Sequence, residues 1–280
     1  MAAAKRLVWP QPLIRTHRTP DKNLEQLRGP STFGLAGRCV FGPSALDPLA
    51  KPAHFQHENR MNGFDFTLAG AQLMALGSGA LWWAEQSVLC VSDLHLGKSE
   101  RIARRGGAAL PPYDTRDTLT RLAADLTLTN ARSVVCLGDS FDDLGAALAL
   151  PEEERLWITR LQAGRRWVWI EGNHDPGPVN LGGSHLFELP IAPLTFRHIA
   201  LPGASGEVSG HYHPKASVTL RGRNISRPAF LFDSDRLVLP AYGTYTGGLR
   251  SRAEALSDLM RPEAQAILTG TNPTAIPMPR

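Results

Sequence analysis

Four short apolar runs in this chain each end abruptly in residue types that bind metal ions. Val88-Leu89-Cys90-Val91 leads into Ser92-Asp93-Leu94-His95, and Val134-Val135-Cys136-Leu137 leads into Gly138-Asp139. Val168-Trp169-Ile170 leads into Glu171-Gly172-Asn173-His174-Asp175, and Glu207-Val208-Ser209 leads into Gly210-His211-Tyr212-His213. Runs of this length and composition read as buried strands, and open α/β sheets build their sites just beyond the carboxyl ends of strands. The chain is therefore expected to fold as α/β, with these residues converging at one end of a sheet. Histidine usage sharpens the expectation, because residues 61–280 hold six histidines and four of them lie inside these motifs. A lone strand-end Asp is usually a turn or cap residue, but Asp-x-His, Gly-Asp, Gly-Asn-His-Asp and Gly-His-x-His in succession are not explained that way.

The segments between the motifs supply the other elements. Phe64–Leu68, Gln72–Leu76 and Leu81–Ala84 are short strands separated by Gly-containing turns. Asp114–Leu128 places Leu119, Leu122, Ala123 and Leu126 on one helical face, with Asp114 as N-cap. Pro151 followed by Glu152, Glu153 and Glu154 marks another helix start. From His185 to about Leu239 the pattern is mostly short strands. Residues 1–60 differ in texture: they hold seven of the 22 prolines and no sustained apolar period. They are expected to form a disordered extension, with the working domain spanning 61–280.

A length of 280 residues with 42% hydrophobic and 20% charged residues suits one large catalytic domain. The pI near 9.2 invites a nucleic-acid reading until the charge is located. Residues 1–60 carry nine Lys/Arg against four Asp/Glu, whereas residues 61–280 carry 21 against 22. The basic balance thus belongs to the extension and argues nothing for the domain. Three cysteines, Cys39, Cys90 and Cys136, give no disulfide framework and suit a reducing compartment. With no apolar stretch near the roughly 18 residues that span a bilayer and no signal core after Lys5-Arg6, the expectation is a soluble, cytoplasmic protein without a membrane partner.

The ordered motifs resemble those of the calcineurin-like metallophosphoesterases and cover most of residues 88–213. That resemblance implies a four-layer αββα sandwich of two mixed sheets, with two divalent metal ions between the strand-end loops. It implies Asp93, His95, Asp139 and His213 as ligands of one metal. The other would take Asp139 as a bridge, Asn173, His211 and a further histidine. Only His185 and His198 lie in the right interval, and His198 is preferred because it ends the strand-like run Leu194-Thr195-Phe196-Arg197. The family pattern also makes His174 the group that protonates or stabilises the leaving oxygen, with Asp142 orienting it; Asp143 is the adjacent competitor for that role.

These residue types suit the chemistry. A carboxylate can bridge two cations, while imidazole and amide oxygens leave them Lewis acidic with positions open to water. A water shared by two such ions is deprotonated near neutral pH and can attack phosphorus in line. A mixed Asp/His/Asn site accepts Mn, Fe, Zn or Ni, with Mn favoured by the resemblance. Lys98, Arg101 and Arg105 follow the first motif at helical spacing, where they could meet an anionic substrate or simply form a solvated face. The Gly-rich segment Leu239–Leu249 carries Tyr242 and Tyr245, which could stack on bases or merely line a turn.

Asp-Leu-His-Leu-Gly-Lys at 93–98, Gly-His-Tyr-His-Pro-Lys at 210–215 and this Gly-rich loop together resemble the ligase-associated DNA damage response endonucleases of the PdeM type. That closer resemblance implies a Mn-dependent DNA phosphodiesterase working alongside a ligase, a helicase and an exonuclease. The alternatives are a small-molecule phosphoesterase, acting on a nucleotide or phosphometabolite with the same ligands, and a non-catalytic interaction module, which would be expected to have lost ligands.

Overall fold

The computed structural model describes residues 61–108, 110–220 and 222–280; the expected extension, 1–60, lies outside the described residues. The chain opens with a meander, β1 (Gly63–Leu68), β2 (Ala71–Leu76), β3 (Leu81–Trp83) and β4 (Val88–Val91), all antiparallel neighbours. It then alternates: α1 (Lys98–Arg104), α2 (Asp114–Thr129), β5 (Ser133–Leu137), α3 (Leu144–Ala149), α4 (Glu152–Gln162), β6 (Arg166–Ile170) and β7 (Ser184–Leu186). Strands β4 to β7 run parallel, so the first sheet is mixed, in the order β1-β2-β3-β4-β5-β6-β7. All four residues of β4 and the last four of β5 and β6 are buried, as expected of strands covered on both faces.

The second sheet begins with β8 (Glu188–Ile191), β9 (Leu194–Arg197), β10 (Glu207–Ser209), β11 (Lys215–Leu220), β12 (Arg223–Phe232) and β13 (Arg236–Val238). It closes with α5 (Glu254–Leu259), β14 (Gln265–Leu268) and β15 (Thr274–Pro277). Its order is β15-β14-β12-β13-β10-β9-β8, with β11 paired to β12. It too is mixed, because β10 runs parallel to β9 and β13 while the other pairings are antiparallel.

Three apolar clusters fix the layering. One joins Leu68, Leu81, Val135 and Val168 of the first sheet to Phe196, Val208, Phe230 and Ile267 of the second. Trp83 stacks on Phe196, and the Phe66 ring meets Phe232 at a tilt, across this seam. Another packs Leu119, Leu122 and Leu126 of α2 and Ile158 of α4 on the outer face of the first sheet, against Leu89, Val134 and Trp167. The last packs Leu256 and Met260 against Ala229, Leu231 and Ala266 on the outer face of the second. The layers are therefore helices, sheet, sheet, helix, the four-layer αββα sandwich expected from the sequence.

Two local readings change. Asp114 is the first residue of α2 and does not cap it; its buried carboxylate accepts from the Ser99 backbone N–H at 3.2 Å and the Ser99 hydroxyl at 2.5 Å, tying α2 to α1. Asp143 is a side-chain cap, accepting from the Ala146 N–H at 2.7 Å at the start of α3. Among the described residues no helix is long and apolar enough to cross a membrane.

Candidate metal centre

The ends of β4, β5, β6 and β10 bring their polar residues together, and the backbone locks the loops that carry them. Beyond β4 and β5 the two chains keep pairing: Asp93 N donates to Gly138 O, His95 N to Asp139 O and Leu96 N to Ser140 O at 2.9 to 3.2 Å. Gly210 N donates to His198 O at 2.9 Å, and Tyr242 N and Gly243 N donate to Ser92 O and Asp93 O at 2.8 and 3.0 Å. Nine described non-glycine residues have positive φ, and five of them are Asp93, His95, Asp139, His211 and His213. A left-handed backbone costs roughly 1–2 kcal/mol per L-residue, so its concentration here marks loops bent for function.

Two donor groups result. Asp93, His95 and His213 bring one ligand atom each within 4.8 Å of one another, and so do Asp139, His198 and His211. In the first, Nε2 of His95 and Nε2 of His213 face each other at 3.4 Å, and the latter is 3.1 Å from Asp93 Oδ1. Asp93 Oδ1 is nonetheless buried with no properly angled hydrogen bond. An orphaned carboxylate oxygen facing ring nitrogens is costly unless a cation joins them. The other oxygen of Asp93 is satisfied, by the Ser92 hydroxyl at 2.6 Å and the His211 N–H at 3.0 Å.

In the second group, His198 Nδ1 is 2.9 Å from Leu137 O, an atom that can only accept. The Nδ1 nitrogen therefore carries the hydrogen and Nε2 is left to point inward, 3.0 Å from Asn173 Oδ1 and 3.4 Å from Asp139 Oδ2. Burial alone would lower the pKa of His198, but Asp139 and Asp93 outweigh it and lift the ring to about 9. Burial would likewise raise Asp139, yet the bond and charge of His198, with the His174 N–H, hold it at about 2. A pocket whose carboxylates stay ionised and stabilise positive charge on a neighbouring ring also favours a bound cation, and the donor set of carboxylate, imidazole and amide oxygens fits divalent metals. His185, the rejected alternative, lies in β7 stacked on Trp169.

His174 and Asp142 meet, but not as expected. The His174 ring holds the backbone carbonyl of Asp142, at 2.9 Å from Nδ1, which fixes Nε2 as its free nitrogen, 4.0 Å from Asp139 Oδ2. The Asp142 carboxylate instead faces His95 Nδ1 at 2.9 Å, too bent for a good hydrogen bond, together with Lys98 and Arg101. Burial would raise this carboxyl, but His95, Arg101 and Lys98 drive it far below the ordinary carboxylate range. Asp142 therefore orients a residue of the first donor group. His95, Asp142 and His174 also approach one another closely, but two cations already occupy this carboxylate, which argues against a third metal. Helix α1 turns the remaining expected cation the same way, since Arg105 pairs with Asp143 at 3.3 Å. The Lys98 and Arg101 charges are thus committed to Asp142, and that of Arg105 is shared with Asp143.

Asp175, which ends the Gly-Asn-His-Asp motif, has a role that its place in the sequence does not announce. Its buried carboxylate accepts backbone N–H groups of Asp139, Ser140, Phe141 and Gly172 at 2.8 to 3.2 Å, clamping the β5 and β6 loops together. Burial, and then the Asp139 charge, push it up to about 6 against those bonds. The same junction needs Gly172, where a Cβ would sit 2.1 Å from Asp139 N and 2.2 Å from Asp139 Oδ1. Gly172→Ala is expected to cost about 1–3 kcal/mol by overpacking and roughly a hundredfold in hydrolysis by displacing Asp139 by about an ångström. Melting temperature and turnover of a phosphodiester check it; wild-type turnover would show that this contact does not set the geometry.

A model of the calcineurin-like phosphoesterases matches residues 87–268. The chain belongs to that family and is a phosphoester hydrolase. Among solved structures it is similar to the nuclease MPE of Pseudomonas putida, with 28% identity and a TM-score of 0.61, covering 76% of this chain and 100% of that one. A more distant likeness, to the phosphoesterase Yfce of E. coli, has 12% identity and a TM-score of 0.34 over 69% of this chain and 99% of that one, and carries no argument. No curated protein sequence matches the chain.

Proposed function

We propose that this protein is a two-metal phosphodiesterase that cleaves DNA. The reading is carried by the two adjoining donor groups, with Asp93 Oδ1 orphaned in one and His198 Nε2 aimed into the other. The first metal would be held by Asp93, His95, Asp139 and His213, the second by Asp139, Asn173, His198 and His211. Two divalent ions, when bound, supply Lewis acidity and an activated water at neutral pH.

The chain's own residues do the rest. The carbonyls of Leu137 and Asp142 set the tautomers of His198 and His174, and Asp142 steadies His95 from behind. His174, 38% exposed at the rim, can hold a proton on Nε2 and pass it to the leaving oxygen. The nuclease neighbour supports a nucleic acid as substrate, and the motif resemblance supports DNA, Mn2+ and a role in DNA repair beside a ligase, a helicase and an exonuclease. The buried free thiols of Cys90 and Cys136 support a cytoplasmic location.

A Mn-supplemented assay of the full chain and of the chain from Met61 tests this, with single-stranded DNA, duplex DNA, bis-p-nitrophenyl phosphate and p-nitrophenyl phosphate as substrates. Cleavage of DNA and the diester by both proteins is the expected result. Turnover of the monoester alone would favour a small-molecule phosphoesterase. A salt-sensitive loss of DNA cleavage without residues 1–60 would make that segment a DNA-holding arm.

A further inference from the structure

We propose that two adjoining clefts, the first of them beside His213, hold the backbone of a single-stranded nucleic acid as it leaves the metal centre, an inference that rests on the DNA reading above. The first cleft, of about 320 Å³, is bordered by His213 and includes Lys215, Arg227 and Tyr245 in its wall. The second, of about 180 Å³, is lined by Lys215, Arg250 and Arg252. Lys215 belongs to both, so they form one path, and neither wall contains an Asp or Glu.

That absence is not a by-product of composition, since residues 61–280 carry 21 Lys/Arg against 22 Asp/Glu. The cations first expected to meet substrate, on α1, are engaged by Asp142 and Asp143. Among the described residues, Lys215, Arg227, Arg250 and Arg252 have no carboxylate within the 4.0 Å of an ion pair. Lys98, Arg101 and Arg105 are thus neutralised by carboxylates, whereas Lys215, Arg227, Arg250 and Arg252 along the clefts have no such partner among the described residues.

The path is built on fixed backbone. Lys215 N donates to Leu249 O and Ser251 N donates to Lys215 O, both at 2.8 Å, which sets Lys215 beside Arg250. Lys215, Ser217 and Thr219 recur every second residue along β11 and all line the second cleft, adding hydroxyl donors beside the cations.

A strand with unpaired bases fits better than a duplex because of Tyr245. Partly exposed Tyr245 lines the first cleft and pairs with Tyr113 at 5.6 Å between ring centroids, and Tyr113 is itself half exposed. Tyr242, from the same loop, is buried, with its hydroxyl donating to Asp125 at 2.8 Å and Arg121 over its ring. Of the two loop tyrosines Tyr242 is buried and Tyr245 is the one with exposed surface at the cleft, so Tyr245 is the candidate platform for a base, and only a single strand presents base faces freely. Cations tracking phosphates with an aromatic platform beside them are how proteins hold single strands without reading sequence.

The test uses the full chain loaded with Mn2+ and a fluorescent oligothymidylate of about 20 nucleotides, longer than one such site needs, on a phosphorothioate backbone that keeps the charges and resists cleavage. Lys215→Gln/Arg250→Gln/Arg252→Gln should weaken binding about tenfold to a hundredfold at low salt, and flatten the plot of log affinity against log salt by about 2, at roughly 0.7 per lost phosphate contact. Bis-p-nitrophenyl phosphate, too short to run along the clefts, should lose far less. Tyr245→Ala should weaken binding with the salt slope kept. If the wild type binds the oligonucleotide and the triple variant, with its melting temperature retained, binds with the same affinity and slope, the path is wrong while the DNA reading stands. Tighter binding of duplex than of single strand would overturn the assignment to a single strand. A wild type that hydrolyses the diester but binds neither nucleic acid would remove the DNA reading, and this path with it.

Discussion

Asp139→Asn should reduce diester hydrolysis by about a thousandfold or more, the equivalent of some 4 kcal/mol of transition-state stabilisation, and should lower the metal content from two ions per chain. The substitution is nearly isosteric, and an amide oxygen can still accept the His174 N–H that Asp139 Oδ1 accepts at 2.8 Å. What it removes is charge. It also puts an N–H₂ group where Oδ2 now lies 3.4 Å from His198 Nε2, so the loss should fall on metal binding and turnover rather than on folding. Metal analysis and single-substrate kinetics on the same sample decide it. Two ions per chain with near-normal turnover would show that Asp139 is not shared between the sites.

His174→Ala should separate substrates by leaving group. DNA expels an alkoxide that needs a proton, so the variant should lose about 10²–10⁴-fold on DNA. Nitrophenolate leaves without help, so the loss on bis-p-nitrophenyl phosphate should be far smaller. Metal content should hardly change, because the ring is tied to the Asp142 carbonyl and lies 4.0 Å from the nearest Asp139 oxygen. Equal losses on both substrates would mean that His174 positions phosphate and is not the acid.

What could be read from the sequence was what is local to a strand end. Ligand-type residues placed directly after apolar runs announced themselves, and His198 could be chosen because it too ends a strand, β9. The αββα layering was implied by the motif resemblance alone; no single segment carries it, since it depends on which faces of the two sheets meet. Features that depend on pairing between distant segments stayed hidden. The Asp175 clamp exists only because β5 and β6 are neighbours. Asp142 was expected to orient His174, but its carboxylate has stronger partners in His95 and Arg101, brought over it by the fold of α1. Similar reasoning applies to charge: a balance near zero concealed one group of cations paired with carboxylates and another without such partners, because the second group is gathered from β11, β12 and the segment before α5.

Whether this chain builds one centre for two metals can be read by titrating the metal-free protein with Mn2+ while recording its electron paramagnetic resonance spectrum. Ions about 3.5–4 Å apart share a bridging ligand and couple magnetically. Saturation is expected at two Mn2+ per chain, with the signal of a spin-coupled pair that disappears in Asp139→Asn. Saturation at a single ion, or two ions with only isolated-ion signals, would contradict it.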